Sequence, residues 1–284
     1  MLVLGVICDI IYKNKKGVMT VNYGFIGLGN MAGAIIRGMC RSDGFAGDSI
    51  YGFNRSVGKT EALARECGLI PAESAADLVE KCEVVVLAVK PQMLDGVLGG
   101  ISEKLGSGKL VITIAAGKTL DWYAARLPEG TPVIRVMPNI AAKVGCSVSA
   151  MCGSAYVDDA QFRLAEAIFS SVGKVYRLDE GMFPAFGAIG GASGAFVYMY
   201  IDALTDAGVR AGFPRPMALE LATQTVLGAA RLQEKSGEHP IVLMNQVCSP
   251  GGTAIEGVLK LRELGFESCV HQGINAIIEK DKRL

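Results

Sequence analysis

Residues 23–33 read Tyr-Gly-Phe-Ile-Gly-Leu-Gly-Asn-Met-Ala-Gly, and the fold turns on this stretch. An apolar run, Val21 to Ile26, enters a glycine turn at Gly27 and Gly29, and a small-residue helix follows from Asn30. A strand, a turn and a helix in that order give the spacing Gly27, Gly29, Ala32 its meaning as G-x-G-x-x-(G/A). Gly27 permits the tight turn, Gly29 lets a pyrophosphate approach the backbone, and Ala32 lets the helix pack close on the strand. Free N–H groups at the helix start then face the phosphates. Ile26, Gly27, Leu28, Gly29, Asn30 and Met31 are accordingly candidate dinucleotide contacts. The alternative is a glycine turn used only for packing.

The rest of the first 180 residues continues the alternation. Strands are expected at Val21–Ile26, Ser49–Phe53, Val84–Val89, Leu110–Ile114, Val133–Met137, Cys146–Met151 and Lys174–Leu178. Helices are expected at Asn30–Arg41, Lys59–Cys67, from Pro91 to about Leu105, and from an Asp158 N-cap to Ser171. Ile35, Ile36 and Met39 form the apolar face of the first helix. This pattern is α/β, an N-terminal Rossmann doubly wound parallel sheet over residues 19–180. Residues 181–284 read as helix throughout, an all-helical C-terminal domain, with breaks at Gly212–Pro216, Gly237–Pro240 and Ser249–Gly252. Residues 1–18 stand apart as an extension: Met1–Tyr12 is apolar and Lys13–Lys16 basic, the reverse of a signal peptide's order. Met19 is the expected natural start.

Composition narrows the function. Lys and Arg number 28, as do Asp and Glu, and a formal charge of zero argues against a nucleic-acid or anionic-membrane partner. The eight cysteines include no C-x-x-C pair and there are two histidines, so no metal site is expected. The cysteines read as small core residues of a reduced, cytoplasmic protein. Gly181–Ile201 carries no charge, but its glycines lower its hydropathy and it has no basic flank. A helix buried in protein, as at a subunit interface, is the expectation, not a membrane span.

Ligands of such sheets sit beyond the carboxyl ends of the strands. The second strand ends at Asn54, Arg55 and Ser56, where NAD enzymes place an acid for the ribose 2′-hydroxyl. A guanidinium and a hydroxyl suit a 2′-phosphate, which favours NADPH over NADH; otherwise Arg55 is a solvated surface charge. Ala88, Val89, Lys90 and Pro91 end the next strand, bordering the nicotinamide or its ribose, or simply terminating the strand. Ala115, Ala116 and Gly117 leave room for a flat ring, or for close strand–helix packing, and Asn139 ends a further strand.

In the second half, Cys248-Ser-Pro-Gly-Gly-Thr253 precedes a helical run. Its free N–H groups form a carboxylate receptor, to which Ser249 and Thr253 add hydroxyls; an ordinary capped helix start is the alternative. Between Gly181 and Leu232 there is no lysine or histidine to take a proton from an alcohol. A protonated imine is already a strong hydride acceptor, so this chemistry suits imine reduction. Asp206 is expected to pair with Arg210 one turn on.

Taken together, Gly24-Phe-Ile-Gly-Leu-Gly-Asn-Met-Ala32, Ala88-Val-Lys-Pro-Gln92, Ala115-Ala-Gly117, Arg135-Val-Met-Pro-Asn139 and Ser249-Pro-Gly-Gly-Thr253 resemble pyrroline-5-carboxylate reductases. The resemblance runs from about Met19 to Ala276. It implies NADPH- or NADH-dependent reduction of 1-pyrroline-5-carboxylate to L-proline and a C-terminal domain that interlocks a homodimer, with decamers in some relatives. It also implies a substrate carboxylate at Ser249, Gly251, Gly252 and Thr253, a catalytic hydrogen bond from Thr253, and the nicotinamide near Ala115–Gly117. The sequence departs from the family pattern at Ala254, where threonine is usual, at Phe196 for tyrosine, and at Ile140-Ala141 for Thr-Pro. A reductase of a related cyclic imine, and a catalytically weak, cofactor-binding regulatory paralogue, are the alternatives these departures leave open.

Overall fold

The computed structural model describes residues 21–45 and 50–281, so the extension expected over residues 1–18 and Met19 lie outside the described residues. The described residues fall into two compact units that divide between Gly187 and Ala188, inside the charge-free stretch and not at its start.

In the first unit the chain runs β1 (Tyr23–Ile26), α1 (Asn30–Arg41), β2 (Ile50–Phe53), α2 (Val57–Cys67), β3 (Ile70–Pro71) and α3 (Ala75–Lys81). It continues with β4 (Val84–Leu87), α4 (Leu94–Gly99), β5 (Leu110–Thr113), α5 (Leu120–Ala124), β6 (Val133–Met137), β7 (Ser147–Gly153), α6 (Asp159–Ser170), β8 (Gly173–Arg177) and α7 (Phe183–Phe186). The eight strands form one sheet in the order β3-β2-β1-β4-β5-β6-β7-β8. β1 is interior: Gly24 lies opposite Tyr51 on one side and Val85 on the other.

The sheet is doubly wound but not wholly parallel, because β7 runs antiparallel to β6. The connection from Pro138 to Cys146 holds only a short 3-10 turn, Ile140–Val144, too little chain for a parallel crossover. β3, α3 and α5 add to the expected elements, and the helix expected to run to Leu105 stops at Gly99, before Gly100.

Helices cover both faces of the sheet, which explains why Val-Val-Val-Leu in β4 is buried at every position. One core joins Phe25, Ile35, Ile36 and Met39 to Ile168 and Phe169 of α6. The opposite core joins Ile26, Leu78, Val85, Leu94 and Tyr123. Each such fully buried side chain contributes roughly 1.5–3 kcal/mol. Asp158 caps α6 as expected: it accepts from the Gln161 amide, and the Gln161 side chain accepts from the Asp158 amide. The cysteines are not uniformly core residues: Cys82 and Cys152 are buried, whereas Cys146 and Cys269 are exposed.

Ser149 of β7 is fully buried, and its hydroxyl has no hydrogen-bond partner. An unmet buried hydroxyl costs free energy that alanine would not. Ser149→Ala is therefore expected to raise unfolding stability by about 1 kcal/mol, read as a higher urea midpoint at constant slope.

The second unit is helical. A π-helical turn, Gly187–Ala192, leads to α8 (Gly194–Arg210), α9 (Arg215–Ser236), α10 (Pro240–Val247), α11 (Thr253–Glu263) and α12 (Phe266–Asp281). Asp206 pairs with Arg215 of α9 at 2.8 Å and not with Arg210. The unit leaves many apolar side chains exposed, among them Ile189, Tyr198 and Met199, the last 71% exposed. The helical stretch Glu180–Arg210 is long and apolar enough to cross a membrane by length and composition alone, and little of it is buried within the chain.

Candidate nucleotide site and carboxylate receptor

Gly27 adopts φ +95°, and a Cβ there would lie 2.8 Å from both the Ala88 carbonyl oxygen and Val89 Cγ1. The Gly27 amide donates to the Phe53 carbonyl at 2.9 Å, and the Ala88 amide to that of Ile26 at 2.9 Å. The turn is thus tied to the ends of both neighbouring strands. Gly29 is the N-cap of α1 and no side chain caps the helix. A Cβ on Gly29 would meet nothing within 4 Å. Open space therefore lies over the uncapped amides at the start of α1, the arrangement of an anion-binding helix start.

A cavity of about 350 Å³ opens beside this helix start. It brings together Gly29, Asn30, Met31, Ala88, Val89, Lys90, Ala115 and Ala116, each expected from the sequence to face a nucleotide. Met137 and Pro138, at the strand tail that ends in Asn139, line it as well, and so do Ile114 and Arg135, which the sequence does not single out as nucleotide contacts. Arg135 opens the family-like run Arg135-Val-Met-Pro-Asn139, which is the one sequence feature that marks it.

Other expected contacts lie elsewhere. Ile26 and Leu28 are buried in the two cores. Asn54 bridges two loops: its Oδ1 accepts from the Leu28 amide at 3.1 Å and its Nδ2 donates to the Ser56 carbonyl at 3.0 Å. Asn139 is the N-cap of the 3-10 turn after β6, accepting from the Ala141 amide at 3.2 Å. Pro91 opens a 3-10 turn, Pro91–Met93, and Gly117 sits at φ +72° in the loop after β5. Arg55 and Ser56 are exposed beyond β2, and no ion pair to Arg55 is found among the described residues. Ser56 is the N-cap of α2 without a side-chain cap bond, so its hydroxyl is not committed to the helix. A second groove of about 310 Å³ runs along α1 from the same Gly29 and Asn30 and carries Arg37, Arg41, Lys59 and Lys143.

The loop Ala115–Thr119 is held at its base. The Ala115 amide donates to Thr113 Oγ1 at 3.3 Å, and the Thr113 and Tyr123 hydroxyls share a hydrogen bond. Burial pushes the Tyr123 phenol up to about 12, so it stays a neutral hydrogen-bonding group. Burial also pushes the Cys152 thiol up to about 12, which makes it a poor nucleophile.

In the second unit, Ser249–Gly252 forms a tight turn, with the Gly252 amide donating to the Ser249 carbonyl at 3.0 Å. Pro250 and Gly251, the latter at φ +68°, occupy the two central positions of a type II turn. Gly252 is then the N-cap of α11 with no side-chain cap, which leaves the amides of Thr253 and Ala254 without a helical partner. Thr253 is exposed and Ala254 half-buried. Among the described residues no group of three or more His, Cys, Asp or Glu side chains could hold a metal ion.

Comparison with known proteins bears on both units. The family profile described as pyrroline-5-carboxylate reductase dimerisation matches residues 180–284. That described as NADP oxidoreductase, coenzyme F420-dependent, matches residues 22–117. The pyrroline-5-carboxylate reductase of Escherichia coli (strain K12) is 36% identical over 266 residues, covering 94% of this chain and 99% of the relative. That of Pisum sativum is 38% identical over 265 residues, covering 92% and 93%. The solved pyrroline-5-carboxylate reductase of Coxiella burnetii superposes with a TM-score of 0.89 at 30% identity, over 93% of this chain and 98% of that one. The Plasmodium falciparum pyrroline carboxylate reductase, solved with NADP bound, gives 0.81 at 28% identity, over 93% and 97%.

Proposed function

The chain belongs to the pyrroline-5-carboxylate reductase family, and from that membership we propose how its own residues carry the reaction. It reduces the C=N bond of 1-pyrroline-5-carboxylate to give L-proline, with a nicotinamide nucleotide supplying the hydride and a proton completing the amine. NADPH is the preferred nucleotide and NADH the poorer one. Gly29, Asn30 and Met31 would hold the pyrophosphate, Arg55 and Ser56 the 2′-phosphate, and Ala88, Lys90, Ala115 and Ala116 the nicotinamide end. Ile26, Gly27, Leu28 and Asn54 act by shaping the loops. Ser249, Gly251, Gly252 and Thr253 receive the substrate carboxylate, and Thr253 is the side chain assigned to the substrate's polar edge.

The observation that carries this reading is the uncapped start of α11 behind the Ser249–Gly252 turn. It offers N–H donors and the positive end of a helix dipole to an anion without a competing side chain. A bound, protonated imine needs orientation more than acid–base help, which agrees with the absence of lysine and histidine from Gly181 to Leu232. The exposed apolar surface of the helical unit supports a homodimer in which a second copy covers it. A decamer of such dimers, and a reduced cytoplasmic setting suggested by the free cysteines, complete the reading.

The test is loss of nicotinamide absorbance with purified protein and 1-pyrroline-5-carboxylate, NADPH and NADH run in parallel. Oxidation of either nucleotide is expected, with NADPH faster. Arg55→Glu replaces a cation by an anion where the 2′-phosphate would lie. It is expected to lower the NADPH-to-NADH ratio of kcat/KM by at least about tenfold. An unchanged ratio would remove Arg55 from the nucleotide site.

A further inference from the structure

We propose that Glu180 is a positioning residue for the nicotinamide end of the nucleotide, acting through Arg135 and the Leu120 amide without touching the reacting atoms. The inference rests on the reading that the cavity beside Ala115 and Ala116 receives that end. One carboxylate oxygen, Oε1 of Glu180, accepts from Arg135 Nη1 at 2.9 Å and from the Leu120 amide at 2.8 Å. One donor lines the cavity itself, and the other follows the loop whose first residues, Ala115 and Ala116, line it. Arg135 stands on β6 and lines the cavity, with its side chain only 9% exposed. Leu120 begins α5, where the loop Ala115–Thr119 ends.

The two ends of that loop are therefore fixed by different means. Its first residue is held by Thr113, which is hydrogen-bonded to the buried Tyr123. Its far end is held by Glu180, which follows it by 60 residues. The guanidinium of Arg135 also lies over the Phe183 ring, 4.4 Å from its centroid. Ring and carboxylate together give this buried cation one orientation. Without the carboxylate, a nearly buried guanidinium is left uncompensated and turns toward whatever anion or water the cavity offers. The loop end is freed at the same time. The first change falls on the cavity wall, and the second on the far end of the loop whose first two residues line it.

Glu180→Gln keeps the size of the side chain and an acceptor for Leu120 but removes the charge that orients Arg135. The full-length variant is expected to raise the KM for NADPH about tenfold, with kcat changed less than about threefold and the KM for 1-pyrroline-5-carboxylate unchanged. Direct titration with NADPH, followed by fluorescence of Trp122, should show the same loss of affinity. If Glu180 acts through Arg135, then Arg135→Gln with Glu180→Gln together should bind NADPH no more weakly than Arg135→Gln alone. A structural role alone would reduce the active fraction and the melting temperature and leave the KM for NADPH where it was. That result, or additive losses in the double variant, overturns the proposal. Failure of the wild-type protein to bind NADPH would overturn the nucleotide reading itself, and this inference with it. Normal wild-type binding with normal Glu180→Gln binding overturns the inference alone.

Discussion

Gly29→Ala is expected to weaken nucleotide binding by at least about a hundredfold while leaving the melting temperature of the nucleotide-free protein within about 2 °C. The backbone at Gly29 has φ −76° and ψ −174°, extended values that alanine adopts freely. The added methyl meets no protein atom within 4 Å, so the fold has no reason to object. It does fill the space over the uncapped amides of α1, where the proposed pyrophosphate would come within hydrogen-bond distance. Two turn residues earlier, Gly27→Ala reverses the pattern. At φ +95° an L-residue is strained by about 1–2 kcal/mol. Its methyl would also press on the Ala88 carbonyl at 2.8 Å. The turn cannot yield, because Gly27 and Ala88 are hydrogen-bonded to the flanking strands. A loss of about 3 kcal/mol or more in stability is expected, by denaturant or thermal melts of the nucleotide-free protein. Fluorescence titration with NADPH separates the two variants. Wild-type affinity in Gly29→Ala would place the pyrophosphate somewhere other than the start of α1.

The contrast between these glycines also shows what was legible in the sequence. Gly27, Gly29 and Ala32 declare themselves because each does one task at a fixed spacing, and the β-branched run before Lys90 can only be a strand buried on both faces. The reversal of β7 was not legible, since alternation along a strand carries no sign of direction. β3 and α5 are too short to establish a period. Asn54 and Asn139 show a different limit. A polar side chain at a strand end reads equally well as a ligand contact or as a loop tie, and both are engaged with neighbouring backbone amides. Arg135 was hidden for the opposite reason. A lone cation inside the apolar run Val133–Met137 gains its meaning only from Glu180, which is 45 residues away. Asp206 shows the same dependence on tertiary structure: helical spacing offered Arg210, and the fold supplied Arg215 from the next helix.

In the helical unit, Gly252→Ala is expected to raise the KM for 1-pyrroline-5-carboxylate by about thirty- to a hundredfold while leaving NADPH affinity unchanged. A Cβ on Gly252 would lie 3.1 Å from the Ser249 carbonyl oxygen and inside van der Waals contact of the Ser249 hydroxyl. That carbonyl is also the acceptor of the Gly252 amide, at 3.0 Å, and this bond closes the turn. The chain before it has little freedom to adjust, with Pro250 fixed in φ and Gly251 at φ +68°. Relief comes from turning the exposed Ser249 hydroxyl away, which removes it from the carboxylate site, and from a shift of Gly252 against the Ser249 carbonyl that carries the first amides of α11 with it. A hydrogen bond to a carboxylate contributes about 1.5–3 kcal/mol, so misaiming one of them costs roughly one to two powers of ten. The site is exposed, so the effect on stability should stay within about 1 kcal/mol. Thr253→Val separates side chain from backbone. A loss as large as that of Gly252→Ala would assign the carboxylate to the Thr253 hydroxyl, whereas a small change would assign it to the amides. Steady-state kinetics with the imine varied at saturating NADPH decide the matter. An unchanged KM in Gly252→Ala would mean that the start of α11 does not hold the carboxylate, and its bare amides would then need another anion or water to satisfy them.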